Sequence, residues 1–236
     1  MTETILYSAI FGRYDCPKPL PPDLDVPAIM FTEDSETAKI AAKGGWEVII
    51  VEPKTHLSTM MNHKWYKLHP HEALPSADIT MWIDGSMTLL YSDYGQRCLD
   101  ALGNDHWAMT PHPSRRCIYD EAAYSATLTW RYDADAIRAQ AEYYRSVIGH
   151  PTQAGLIATG ANVRRNVSQV NALCEHWWYE NVHRSHQDQL SLPVLLLLTE
   201  TEAAQWGHGL RWNTNLPWHQ WWHLAEHEWT AIYDYK

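Results

Sequence analysis

The chain has 236 residues, 45% of them hydrophobic, and a formal net charge of −10. That length supports one substantial core, and the acidic balance argues against broad, unassisted binding to nucleic acid, which needs a basic surface. Its four cysteines, Cys16, Cys98, Cys117 and Cys174, are scattered without a CxxC pair, so no disulfide framework is indicated and a reducing compartment is expected.

Residues 3–15, ETILYSAIFGRYD, read as a strand that enters a glycine-containing loop. Residues 26–34 and 46–53 give a second and a third strand, the latter stopped by Pro53. Residues 58–75 are helical in their first part and limited by Pro70. Residues 78–85, DITMWIDG, form a fourth strand and 106–113 a fifth. Helical spacing covers 134–149, with Gly149 as C-cap, and 167–184 as an amphipathic helix; 154–165 are strand-like. PVLLLL (193–198) is too short to span a bilayer, and the N-terminus has no basic n-region, so a cytoplasmic protein without a membrane span is expected.

Strands apolar enough to be buried on both faces, alternating early with short helices, argue for an α/β fold around a mixed, mostly parallel sheet flanked by helices. Ligands in such sheets bind beyond the carboxyl ends of the strands. Four polar clusters fall there: Gly12-Arg13-Tyr14-Asp15, Thr32-Glu33-Asp34, Asp84-Gly85-Ser86 and His112-Pro113-Ser114-Arg115. The chain has 13 Trp and 13 Tyr against 2 Phe. Flat faces with a polar edge suit sugars and bases, although Trp can also simply replace Phe in a core.

Each cluster has a structural alternative. Asp84 ends an apolar strand and is able either to hold a ligand or to cap a turn. Thr32 and Asp34 suit a nucleobase or ribose, or a helix N-cap. Arg115 offers a fork for a diphosphate or pairs locally with Asp120 or Glu121. His63 and Lys67 share a helix face with Lys64 beside them, which suits either phosphate or solvent. His219, His223 and His227 stand four residues apart, a spacing a zinc hydrolase would use, but they lack the HExxH glutamate.

The strings YSAIFGRYD, HKWYKLHPHEALP, MWIDGSM, HPSRRCIYDE, GHPTQAGLIATGANVRR and HWWYENVHRSHQDQLS, in that order from about residue 5 to 195, resemble the glycosyltransferase-like domain of plant TOD/MUCI proteins. The ordering is also similar to retaining glycogenin-type transferases. The resemblance implies a GT-A-like, Rossmann-like single domain over 1–236. About 1–110 would bind the nucleotide sugar, and about 111–236, with the Trp/His-rich C-terminal segment, the acceptor.

The implied activity is transfer of a hexosyl or pentosyl group from a nucleotide diphosphate donor such as a UDP-sugar to an acceptor hydroxyl; the glycogenin-type ordering points to retention, with inversion left open. The acceptor is a saccharide, a protein or a modified DNA base. By resemblance, Asp188, Gln189 and Arg115 would be catalytic. Phe11, Gly12, Tyr14, Thr32, Asp34, Lys64, Lys67, Asp84, Gly85 and Ser86 would bind the donor. His112, Thr159, Gly160 and Ala161 would bind the transferred sugar or acceptor. Ser86 stands where a second acid would complete a metal motif, so either Mn²⁺ or Mg²⁺ would rest on Asp84 with His208 or His219, or no metal would be used and Arg115 with Lys64 or Lys67 would carry the charge. Asp188 has a helix-cap alternative. Two rival functions are a non-catalytic carbohydrate-binding protein and a zinc-dependent hydrolase using the C-terminal histidines.

Overall fold

The computed structural model describes residues 2–201, 205–217 and 221–224. In chain order the first half comprises β1 (Thr4–Ala9), β2 (Ala28–Thr32), α1 (Ser35–Lys43), β3 (Glu47–Ile50), α2 (Thr59–Leu68), α3 (Pro70–Ala73), β4 (Ile79–Ile83), β5 (Met87–Leu89) and α4 (Tyr94–Leu102). The second half comprises β6 (Trp107–Pro111), α5 (Ile118–Ser125), α6 (Ala134–Tyr143), β7 (Ile157–Arg165), α7 (Ser168–His183), α8 (Asp188–Thr199), β8 (Trp212–Asn213) and β9 (Trp222–Leu224).

Seven strands form one sheet in the order β3-β2-β1-β4-β7-β6-β8. Every neighbouring pair is parallel except those that include β7, which runs antiparallel to β4 and β6. The mixed, mostly parallel α/β sheet expected from the buried apolar runs is therefore present. Strands β2 and β4 are buried at every position, whereas edge strand β3 is not. Leu6, Met30, Met81 and Val163 belong to one core cluster, and Tyr7, Phe31, Tyr66 and Trp82 to another. Trp82, Trp107 and Trp177 are among the largest fully buried side chains, so part of the tryptophan excess fills the interior.

The antiparallel course of β7 brings its first residues to the rim where β4 and β6 end. Ala161 pairs with Ile83, and Ile157 with Pro111. The carboxyl ends of β1, β2, β4 and β6 and the start of β7 thus share one edge of the sheet.

Helix α2 ends at Leu68 because Pro70 cannot continue it, and Pro70 instead opens the single turn of α3. Helix α6 continues through a π-helical turn at Tyr144–Ile148 and closes on Gly149 at φ 72°, the expected left-handed cap. Helices α4 and α5 escape the sequence reading, and α1 and α8 enter it only through the cap alternatives at Asp34 and Asp188. Helix α8 is DQLSLPVLLLLT, apolar almost all round and interrupted by Pro193, so it shows no amphipathic period. None of the helices in the described residues is long and apolar enough to cross a membrane.

Candidate active site

A cavity of about 480 Å³ opens at the shared rim. Its walls come from α2, the β4–β5 turn, the β6–α5 loop, the start of β7 and the start of α8. Met60, His63, Asp84, Ser86 and Arg131 also line an adjoining recess of about 30 Å³ that reaches Phe11 and Tyr14 at the end of β1.

Helix α2 explains the basic side of the cavity. His63, Lys64 and Lys67 stand at i, i+1 and i+4, so one helical face delivers all three. Ser58 caps the helix by accepting the Met61 N–H at 3.1 Å. Both lysines are buried and converge on Asp188, the first residue of α8: Lys64 Nζ lies 3.1 Å and Lys67 Nζ 2.8 Å from Asp188 Oδ2. Lys67 Nζ also reaches Asp84 Oδ1 at 3.4 Å. Burial opposes the charge on Asp188, but the two lysines outweigh it and hold the carboxyl well below the usual carboxylate range. Burial also lowers Lys64, to about 8, because Lys67 repels it and Asp188 compensates only in part. Lys67 faces two carboxylates, which overcome its burial and raise it.

Asp84 follows β4, where Gly85 ends the strand. Its N–H donates to the Gly160 carbonyl at 2.8 Å, and its Oδ1 accepts from Trp82 Nε1 at 2.7 Å. A side chain on Gly160 would put its Cβ 3.3 Å from Asp84 Oδ2, so the bare backbone leaves that oxygen room. The side chain remains 33% exposed, unlike that of Asp188 at 6%. His63 Nδ1 donates to the Ala9 carbonyl at 2.8 Å, and its Nε2 faces Asp84 Oδ1 at 3.8 Å. Burial lowers the His63 pKa, favouring a neutral ring. A neutral ring with Nδ1–H leaves a lone pair on Nε2.

On the opposite wall Arg115 Nε donates to the buried carboxylate of Glu121, while its guanidinium lies 4.3 Å from the Tyr124 ring centre. Glu121 also accepts from Ser125 Oγ at 2.9 Å and Gln187 Nε2 at 2.8 Å. His112 Nδ1 accepts the Arg115 N–H at 2.9 Å, and burial and then Arg115 lower its pKa. The local Arg115–Glu121 pairing weighed in the sequence is thus formed, inside the cavity wall rather than on the surface.

The remaining sequence candidates divide. Lys64, Lys67, Asp84, Ser86, His112, Arg115, Thr159, Gly160, Asp188 and Gln189 line the main cavity. Phe11 and Tyr14 line the recess. Gly85 packs against Ile10 below it, and Ala161 is buried in the core. Gly12, at φ 63°, donates its N–H to Glu33, and a Cβ there would come within 2.6 Å of Thr59. It shapes the β1 loop and lines neither space.

Thr32 and Asp34 are also kept from both. Thr32 is buried and accepts the Asp34 N–H, while Asp34 caps α1 through the Thr37 N–H at 2.7 Å and pairs with Arg13 at 2.8 Å. The N-cap alternative describes them. His208 follows Gly207, which packs against Thr199 at the last turn of α8. Asp188 stands at the other end of that 12-residue helix, about 16 Å away at 1.5 Å per residue. His219 and His227 lie outside the described residues, and for His223 only the backbone is described.

Sequence reasoning missed Arg131, Tyr132, His186 and Gln187, all of which line the cavity. Arg131 and Tyr132 sit in an irregular connection without a strand or helix period. Glu121 was visible only as a partner for Arg115.

The profile described as TOD1/MUCI70, glycosyltransferase-like domain, matches residues 2–206. No curated protein sequence matches the chain. Among solved structures, glucosyl-3-phosphoglycerate synthase from Mycobacterium tuberculosis with phosphoglyceric acid aligns at TM-score 0.49 and 13% identity, covering 98% of this chain and 74% of that one. Core-mannan synthase A from Aspergillus fumigatus, in an Mn/GDP form, aligns at TM-score 0.47 and 12% identity over 82% of this chain and 68% of that one. The bifunctional glycosyltransferase WbbM aligns at TM-score 0.48 and 12% identity over 82% of this chain, which spans only 37% of WbbM. With the profile running from β1 to beyond α8, the chain belongs to the TOD1/MUCI70 glycosyltransferase-like domain family.

Proposed function

We propose that this chain is a GT-A-type glycosyltransferase that binds a nucleoside diphosphate sugar at the strand rim and transfers the sugar to a hydroxyl acceptor. The observation that carries this reading is the Asp84–Lys67–Asp188 linkage on the cavity wall. It fixes a lysine where a departing diphosphate gathers charge, and fixed cations in a partly enclosed site stabilise such charge strongly. The nucleoside lies in the main cavity against the mouth of the recess beside Phe11 and Tyr14. The diphosphate lies toward Lys67 and Arg131, and the sugar lies over Asp188 and Gln189, with Thr159 and Gly160 between donor and acceptor.

The chemistry of the donor set supports a divalent cation at Asp84. A carboxylate and a neutral imidazole nitrogen, Asp84 Oδ1 and His63 Nε2, stand 3.8 Å apart, and this oxygen–nitrogen pair suits Mn²⁺ with phosphate oxygens completing the shell. When bound, the cation would neutralise diphosphate charge. His63 takes the role that the sequence reading assigned to His208 or His219.

The carboxylates lining the main cavity, Asp84, Glu121 and Asp188, each contact at least one cationic side chain. Because none of these is a free base for an acceptor attacking from the opposite face, we take the transfer to proceed with retention. The acceptor oxygen bonds to the anomeric carbon as the bond to phosphate breaks, and the acceptor proton passes to the departing phosphate oxygen. The test is release of nucleoside diphosphate from a panel of UDP- and GDP-sugars, with Mn²⁺ present. Wild-type turnover that is lost in folded Lys67→Met protein supports the reading. Absence of release from every donor, with saccharide binding retained, favours the non-catalytic carbohydrate-binding alternative.

A further inference from the structure

Outside the cavity, where the α2–α3 junction meets α7, His69, Glu72 and Glu175 each offer one ligand atom, and these atoms lie within 4.8 Å of one another. His69 Nε2 is 3.6 Å from Glu175 Oε2, and His71 Nε2 is 3.0 Å from Glu175 Oε1. The short sequence His69-Pro70-His71-Glu72 makes this possible: Pro70 ends α2 and opens one tight turn, which carries three polar side chains to one face of α7.

His69 is held firmly. Its ring stacks on Trp65 at 5.0 Å and meets the edge of Trp178 at 5.3 Å. Its Nδ1 lies 3.0 Å from the Trp65 carbonyl, so Nδ1 carries the hydrogen and Nε2 a lone pair whenever the ring is neutral. With Nδ1 committed to the Trp65 carbonyl, Nε2 is the ring atom that faces Glu175 Oε2, and a cation between the two would take both as ligands. Among the described residues, Glu72 and Glu175 form no ion pair with lysine or arginine.

We propose that His69, Glu72 and Glu175 bind one zinc ion that pins the α2–α3 junction to α7. One imidazole and two carboxylates are ligands zinc accepts, with water in the fourth position. The Nδ1–H bond to the Trp65 carbonyl orients His69, and His71 holds the second oxygen of Glu175, as outer partners of metal ligands commonly do. The site is separate from the histidines of the C-terminal segment and from Asp84. It stands two residues beyond Lys67, so it would steady the helix that supplies the basic wall.

The test strips the full chain with chelator, adds zinc chloride, and measures zinc affinity by competition with a chromophoric chelator alongside melting temperature. One zinc per chain is expected, with a rise in melting temperature from binding to the folded state. Glu175→Gln and Glu72→Gln change exposed residues and are expected to fold, which circular dichroism checks. Each should weaken zinc about tenfold or more. A variant with His219, His223 and His227 all changed to alanine should keep the affinity. Zinc affinity unchanged in both glutamine variants, lost in the alanine variant, or absent from the wild type would overturn the proposal.

Discussion

Lys67 Nζ stands 2.8 Å from Asp188 and 3.4 Å from Asp84, joining residues 121 and 17 positions away in the chain. One lysine therefore ties α2 to the end of β4 and the start of α8. Beneath it the buried Arg164 donates to the Lys67 backbone carbonyl, which fixes the last turn of α2 from below. A buried ion pair broken on one side leaves an uncompensated charge.

Lys67→Met is therefore expected to lower unfolding free energy by about 3 kcal/mol, measured by urea denaturation. The triple variant Lys64→Met/Lys67→Met/Asp188→Leu should recover a large part of that loss, because it removes Asp188 together with both buried lysines that face it. It should not recover donor binding if, as proposed, the lysine serves the diphosphate. Recovery of both would reduce Lys67 to a structural role.

Lys64 sets a pH dependence. Its folded pKa, about 8, is below the ordinary lysine value near 10.4, so the unfolded chain binds more protons between those limits. Stability from this group rises with pH across that window. Donor binding has the opposite trend: deprotonation above about pH 8 removes one positive charge from the cavity wall and weakens nucleoside diphosphate binding. Calorimetric titration of nucleoside diphosphate from pH 7 to 9.5 should show that decline, and Lys64→Arg should flatten it.

At the acid end Asp188 dominates. Its carboxyl pKa is depressed in the folded protein, so its contribution to stability is complete above the ordinary aspartate value near 3.9 and declines as pH falls below it. Asp188→Asn should make the acid limb of a stability–pH curve shallower. An identical acid limb in the two proteins would contradict the buried pairing with Lys64 and Lys67.

Gly12→Ala tests the β1 loop. The residue has φ 63°, and its Cβ would come within 2.6 Å of Thr59 Cγ2. A loss of about 1–3 kcal/mol is expected from backbone strain and the clash together. Adding Thr59→Ser removes Cγ2, the nearest atom, while leaving Cβ at 2.9 Å, and should restore a small part of it, as read from thermal melts.

Much of the fold was legible because its central strands are apolar runs stopped by Gly, Pro or Asp. MWIDG announces the end of β4, and IATGANVRR covers β7. The antiparallel course of β7 was not legible, since an apolar strand buried on both faces carries no mark of direction. Helix α8 was hidden for a related reason: Leu190, Leu192, Val194, Leu195 and Leu196 are all buried, and Pro193 reads as a breaker. The site divided the same way. Asp84, Lys67 and Asp188 appeared as separate candidates, but only the fold joins them. Thr32 and Asp34 stand at a strand end as functional residues would, yet Asp34 caps α1 and pairs with Arg13, and the buried Thr32 accepts the Asp34 N–H. Arg131 lies in an irregular connection that gives no pattern to read.

The central claim is that the cavity joining Asp84, Lys67 and Asp188 binds a nucleoside diphosphate. Isothermal titration of UDP and GDP into the protein, with and without Mn²⁺, measures it directly. Binding of at least one nucleotide is predicted, strengthened by Mn²⁺ and lost in folded Asp84→Ala protein. No heat of binding for either nucleotide under both conditions, or equal binding by wild type and Asp84→Ala, would contradict the claim.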